Sequence, residues 1–242
     1  LNANNITVEK TEAGDFKMAG LDNYDFISDR YYVLKNGTYQ DQSQEAGILD
    51  NAFGLSAIIA DFNSDNLPDI YVANDYVKPD RLFINQGNHK FKDEILKYFK
   101  HTSFSSMGSD YSDLNNDLKP DLMTLDMMAA TSKRRHILNI SQNQKKFKQL
   151  ENFGFGKQIA RNVLQINNGN KPYSEIALMD GLATTDWSWC VLMADFNNDM
   201  YKDIHITNGF YRNITNLDYI DYKINDFRNQ YKSGKINALD WL

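Results

Sequence analysis

The sequence predicts an all-β fold built from repeated four-stranded units, and three observations carry that prediction. The phrase Asp-x-Asn-x-Asp-x-x-x-Asp occurs three times: Asp61, Asn63, Asp65, Asp69; Asp113, Asn115, Asp117, Asp121; and Asp195, Asn197, Asp199, Asp203. Each copy runs directly into an apolar or β-branched stretch, Ile70-Tyr71-Val72, Leu122-Met123-Thr124-Leu125 or Ile204-His205-Ile206-Thr207, which favours strand. Matched residues also precede each copy at fixed distances, so the repeat is longer than the phrase itself.

The unit reads as follows. A short strand-like run comes first, as Tyr31-Tyr32-Val33-Leu34, Arg81-Leu82-Phe83-Ile84 or Asn162-Val163-Leu164-Gln165-Ile166. Turn signals follow at Asn36-Gly37, Asn85-Gln86-Gly87 and Asn168-Gly169, where Asn and Gly tolerate the backbone of a tight hairpin. The next strand carries Tyr39, Phe91 or Tyr173, and two residues later Asp41, Asp93 or Glu175. An apolar strand, clearest at Leu55–Ala60 and Trp189–Ala194, leads into the acidic phrase, and the last strand runs toward Asn74, Asp126 or Asn208. Four strands in roughly 45–50 residues is the length of a propeller blade.

The phrases start 52 residues apart between the first two copies and 82 apart between the last two. The excess lies between Asp126 and Asn162, where Ser132–Leu150 reads as helix, with Ser132 as N-cap and Ile137, Ile140, Phe147 and Leu150 as an apolar stripe,. The expected organisation is therefore an N-terminal extension (1–29), propeller blades (30–212) with a helical insertion (131–160), and a helical tail (213–242). About three repeat units fall short of the four or more blades of a closed propeller. The outermost units are halves, so the chain is expected to be an arc that contacts the remaining blades of a longer protein.

The acidic phrase has a chemical reading. Oxygen-bearing side chains at alternate positions suit a hard cation, and backbone carbonyls of Leu67, Lys119 and Tyr201 at position 7 would bring each loop toward the 6–8 oxygens of calcium. An EF-hand requires a Glu at position 12 and flanking helices. Position 12 here is Val72, Thr124 or Ile206, and the flanks read as strands, which excludes it.

Asp61-Phe62-Asn63-x-Asp65 followed by Pro68-Asp69-Ile70, and its counterpart ending Lys202-Asp203-Ile204, resemble the FG-GAP/VCBS-type repeats of calcium-binding β-propellers, including integrin α-subunit heads. Ser106-Met107-Gly108-Ser109-Asp110 and Thr185-Asp186-Trp187-Ser188-Trp189 look like the bacterial VCBS-repeat subgroup. The resemblance implies up to three Ca²⁺, each in the hairpin between the first and second strand of a blade. Such repeats usually have Gly at loop position 6, where the chain turns left-handed. Here Asn66, Leu118 and Met200 stand there, and Leu and Met adopt that conformation at a cost of about 1–2 kcal/mol.

Composition narrows the function. With 42% hydrophobic residues the 242-residue chain can bury a sizeable core,. A formal charge of −6 and the lack of a recognised motif argue against nucleic acid as a partner,. No apolar run is long enough to span a bilayer. The single Cys190 excludes an internal disulfide, and its apolar strand predicts burial,. Trp187 and Trp189 read as core, and Lys133, Arg134, Arg135, Lys145, Lys146 and Lys148 as a solvated helix face. No nucleophile–base arrangement emerges, so the expected role is a non-enzymatic, extracellular or cell-surface scaffold for a protein or glycan ligand. The alternative is part of a secreted polysaccharide-active enzyme, with catalytic groups on the insertion or in missing blades.

Overall fold

The structure, a computed structural model, describes residues 8–10, 16–18, 28–48, 52–76, 78–138, 144–169, 171–209 and 216–235. Within the 1–29 extension a hairpin pairs β1 (Val8–Lys10) with β2 (Phe16–Met18). β3 (Tyr32–Lys35) and β4 (Thr38–Asp41) form a second hairpin about the Asn36-Gly37 turn, followed by one helical turn, α1 (Ser43–Ala46).

The first complete antiparallel sheet runs β5 (Phe53–Ala60), β6 (Asp69–Asp75), β7 (Arg81–Asn85), β8 (Phe91–Asp93) in sequence order. After α2 (Ile95–Tyr98) and the short β9 (Thr102–Ser103) comes a second sheet. It contains β10 (Ser109–Ser112) and β11 (Asp121–Thr124), then, beyond an insertion, β13 (Val163–Ile166) and β14 (Ser174–Glu175). The insertion holds α3 (Ser132–Leu138), α4 (Gln144–Leu150) and β12 (Gln158–Ile159), which pairs in parallel with β9. A final hairpin joins β15 (Ser188–Ala194) to β16 (Asp203–Asn208), and α5 (Leu217–Lys232) follows, with Asn216 capping it by accepting the Tyr219 N–H.

Besides the β1–β2 and β9–β12 pairs, the described strands form two full sheets, preceded in sequence by one half-sheet and followed by another. The sheets begin at the apolar strand and end after the Gly turn, so the unit read from the sequence is shifted in phase from the hydrogen-bonded one. Period-two alternation buries both faces of each full sheet, because opposite faces of a strand meet different neighbours. Val72 and Phe83 pack with Ala46, Ile48 and Tyr31 on the β3–β4 side. Tyr71, Leu82 and Ile84 pack on the other side with Phe99 after α2, Leu122 of β11 and Tyr173 just before β14. Met123, Leu125 and Leu164 face Val191, Met193, Ile204 and Ile206 of the last hairpin. The first strands of successive sheets lie side by side: Ser56 Oγ is 2.8 Å from Ser109 Oγ, and Asp110 Oδ2 accepts the Met193 N–H at 2.7 Å.

Several expectations are corrected. Thr131, not Ser132, caps α3, its hydroxyl accepting the Arg134 N–H. The expected 132–150 helix is described as two helices with a π turn after the second; residues 139–143, Ile140 among them, lie outside the described residues. The side chains of Lys145 and Lys146, the stretch 210–215 and the tail beyond 235 also lie outside them. Cys190 and Trp189 are exposed rather than core. A register shift between Ser188 and Cys190 interrupts the alternation there, and no sheet covers that face of β15 among the described residues. Arg134 is not simply solvated, since its guanidinium pairs with Asp186.

Candidate metal centre

The three acidic phrases fold into loops of one design, each joining the first and second strand of a sheet. The first Asp gathers backbone N–H groups around its carboxylate. Asp61 accepts from Asp65 at 3.1 Å and Asn66 at 2.8 Å, Asp113 from Asp117 at 3.0 Å and Leu118 at 2.8 Å, and Asp195 from Asp199 at 3.1 Å and Met200 at 2.8 Å. The Asn at position 3 accepts the N–H of position 5 in every copy, through Asn63, Asn115 and Asn197. The Asp at position 5 accepts the N–H of Leu67, Lys119 or Tyr201. This curl needs two left-handed residues. Position 4 takes φ 62°, 60° and 62° at Ser64, Asn116 and Asn198, and position 6 takes 65°, 67° and 72° at Asn66, Leu118 and Met200.

The expected departure at position 6 is therefore present in the backbone. Leu118 is 94% exposed and Met200 78% exposed, so neither side chain recovers the strain by packing. Leu118→Gly and Met200→Gly are each expected to raise unfolding free energy by about 1 kcal/mol, measured by chemical denaturation. Leaving stability unchanged or lowering it would contradict a strained turn.

The fourth Asp ties the loop to the sheet. Asp69 is fully buried, with Oδ2 accepting the Phe62 N–H and Oδ1 the N–H of Asn85, the last residue of β7. Asp121 repeats this with Leu114 and Asn167, beyond β13. Asp203, on the half-sheet, accepts from Phe196 alone among the described hydrogen bonds. Burial raises the Asp69 and Asp121 carboxyls above the ordinary value against these N–H bonds, and repulsion from the other acids of each loop adds to it.

Of the fifteen residues expected at the sites, twelve lie on these loops and Asp69, Asp121 and Asp203 open the strands that follow, and in each copy the fourth Asp bonds back to the residue after the first. The copies also differ at position 5. Lys119 Nζ lies 2.9 Å from Asp117 Oδ2, whereas Asn63 and Asn197 donate to Asp65 and Asp199 instead. An ammonium thus already offsets charge in the second loop. Among the described residues no three carboxylate, imidazole or thiol groups are gathered as a metal cluster. The side-chain donors are nonetheless all oxygen, the set that suits calcium over thiophilic or imidazole-seeking ions.

Sequence reasoning missed the partners of the matched upstream acids. Arg30 pairs with Asp41, Arg81 with Asp93 and Arg161 with Glu175, at 3.2, 2.8 and 2.6 Å. Burial pushes Glu175 up, but His101 and Arg161 outweigh it and hold the carboxyl well below the usual range. The Arg lies two residues before Tyr32 and Phe83 but four before Gln165, so no fixed spacing marked it. It also missed the left-handed position 4, although Asn at 116 and 198 favours that conformation.

A family model described as an FG-GAP-like repeat matches residues 61–124, the span from the first acidic loop through β11. A comparison with curated proteins finds no match.

Proposed function

We propose that this chain is part of a calcium-stapled β-propeller that serves outside the cytoplasm as a binding scaffold for a protein or glycan ligand. The observation that carries the reading is the common backbone of the three acidic loops, left-handed at the same two positions and closed by the same N–H bonds onto the first Asp. Strained non-Gly residues persist where the surroundings demand them, often at ligand sites. The side-by-side first strands and the FG-GAP-like match support the propeller arrangement.

Asp61, Asn63, Asp65, Asp69 and the Leu67 carbonyl would hold one ion, with the equivalent sets in the other loops. A bound cation would supply positive charge that draws carboxylates together and offsets their repulsion. Lys119 makes the second loop the weakest site. Weak extracellular-type sites fill only at about millimolar calcium, which places such a scaffold outside the cytoplasm.

The test is a thermal melt with calcium and with chelator, for the native chain and for Asp61→Ala. At calcium tenfold above Kd each site adds about 1.4 kcal/mol, or roughly 3–5 °C for a domain of this size. The calcium-dependent increment should fall by about a third in the variant. Identical native melts in calcium and chelator would overturn the metal reading.

A further inference from the structure

Charge is distributed unevenly along the chain. The segment 127–161 lies between Asp126 and Asn162, whose side chain accepts the Asp126 N–H. It holds eight Lys or Arg and a single acid, Glu151, a formal +7. With −6 on the whole chain, the remaining residues carry −13. Two of the eight cations are anchors. Arg134 pairs with Asp186 just ahead of β15, and Arg161 forks onto the Glu175 carboxylate of β14. Lys133, Arg135, Lys148 and Lys157 are exposed and have no carboxylate partner among the described residues.

The helices of the segment turn their apolar side chains toward the body. Phe147 of α4 meets the Phe104 ring edge to face at 5.0 Å, and Leu150 is buried, as is Phe155 in the π turn. Ile137 of α3 and Phe153 are half-buried. Among the described residues of 127–161, no large apolar side chain is exposed. This composition sorts the polyanions that the cations can attract. A helix that binds a membrane surface needs an apolar face to enter the headgroup boundary. Single-stranded nucleic acid needs exposed rings on which its bases stack. A globular acidic protein needs a patch of about 800 Å², wide enough to bring it against the acidic remainder of the chain. A linear polyanion with neither bases nor lipid tails avoids all three difficulties. It touches a narrow strip, and exposed charges more than about 8 Å away are screened.

We propose that the 127–161 segment is a docking site for an acidic polysaccharide, whose sulfate or carboxylate groups pair with Lys133, Arg135, Lys148 and Lys157. The proposal rests on the scaffold reading above and narrows its ligand to an anionic glycan. Arg134 and Arg161 tie the segment to the sheets, so the unpaired cations are presented from a fixed base. The contact is ionic and therefore sensitive to salt.

The test titrates the full chain into fluorescein-labelled dextran sulfate in calcium and about 0.15 M salt, read by anisotropy. Uncharged dextran of equal length, a thymidine oligonucleotide and phosphatidylserine vesicles serve as comparison probes. Dextran sulfate should bind saturably and more weakly as salt rises, and uncharged dextran should not bind. Lys133→Gln, Arg135→Gln, Lys148→Gln and Lys157→Gln combined should weaken binding about tenfold. Lys35→Gln, Lys92→Gln, Lys97→Gln and Lys232→Gln combined, at exposed sites outside the segment, remove equal charge and should leave it unchanged. Melts followed by circular dichroism establish that both variants fold. Equal losses in the two variants would overturn the proposal, because attraction would then follow net charge and not the segment. Equal or tighter binding of the oligonucleotide or the vesicles would also overturn it. A chain that melts higher in calcium but does not bind dextran sulfate would sink the glycan site alone and leave the metal reading standing.

Discussion

Asp69→Ala and Asp121→Ala are each expected to lose about 3 kcal/mol of unfolding free energy, and Asp203→Ala only about 1 kcal/mol, read from urea midpoints at constant slope. The three residues occupy one repeat position, so identity cannot separate them; their donors can. Asp69 and Asp121 are buried and each satisfies two backbone N–H groups, one in the loop and one at or just past the end of the third strand. Truncation orphans both, and each buried unsatisfied donor costs about 1–3 kcal/mol. Asp203 is half-buried and serves one. Measured in chelator, the ranking is independent of any cation. Equal losses at all three positions would show that the loop, and not the tie to the third strand, sets the cost.

Gly108→Ala is expected to cost about 2–3 kcal/mol. A Cβ there would stand 2.4 Å from the Trp189 carbonyl oxygen and 2.8 Å from the Cys190 Cα, both backbone atoms. Neither can swing aside, so relief requires β10 and β15 to separate where the two sheets meet. Gly87→Ala is the control. Its φ of +76° carries a left-handed penalty of about 1 kcal/mol, but nothing lies within 4 Å of the added carbon. If the two variants melt alike, the close approach of the first strands is not a determinant of stability.

What the sequence disclosed, and what it hid, follows from how each element is stabilised. β6 announces itself because both faces are buried and Ile70-Tyr71-Val72 is apolar throughout. The acidic loops were legible because their conformation is dictated locally, by side chains bonding to N–H groups two to five residues on. β10 was not legible. Its Ser109, Asp110, Tyr111 and Ser112 show no apolar pattern, since two of them make polar contacts across sheets, to Ser56 and to the Met193 backbone. Cys190 and Trp189 misled for the opposite reason. An apolar strand signals burial only if a neighbour lies on each face, and the neighbour is not encoded in the strand. The arginine partners stayed hidden because side-chain reach, up to two residues of offset, blurs any fixed interval.

The junction between the second and third strands carries a consequence for exchanging segments. In the first sheet five residues separate Asn74 from Asp80, and the Asp80 side chain accepts the Asn74 N–H; in the second, thirty-five separate Asp126 from Asn162, and Asn162 accepts the Asp126 N–H in the same way. The strand pairing that follows is in equivalent register in both. One side-chain clamp thus fixes where the chain re-enters whatever its detour, and a sevenfold longer excursion adds only about 2 kcal/mol of closure entropy. The excursion can therefore change in length between its buried ends, Met128-Ala129 and Gln158–Arg161, while the framework beneath stays in register.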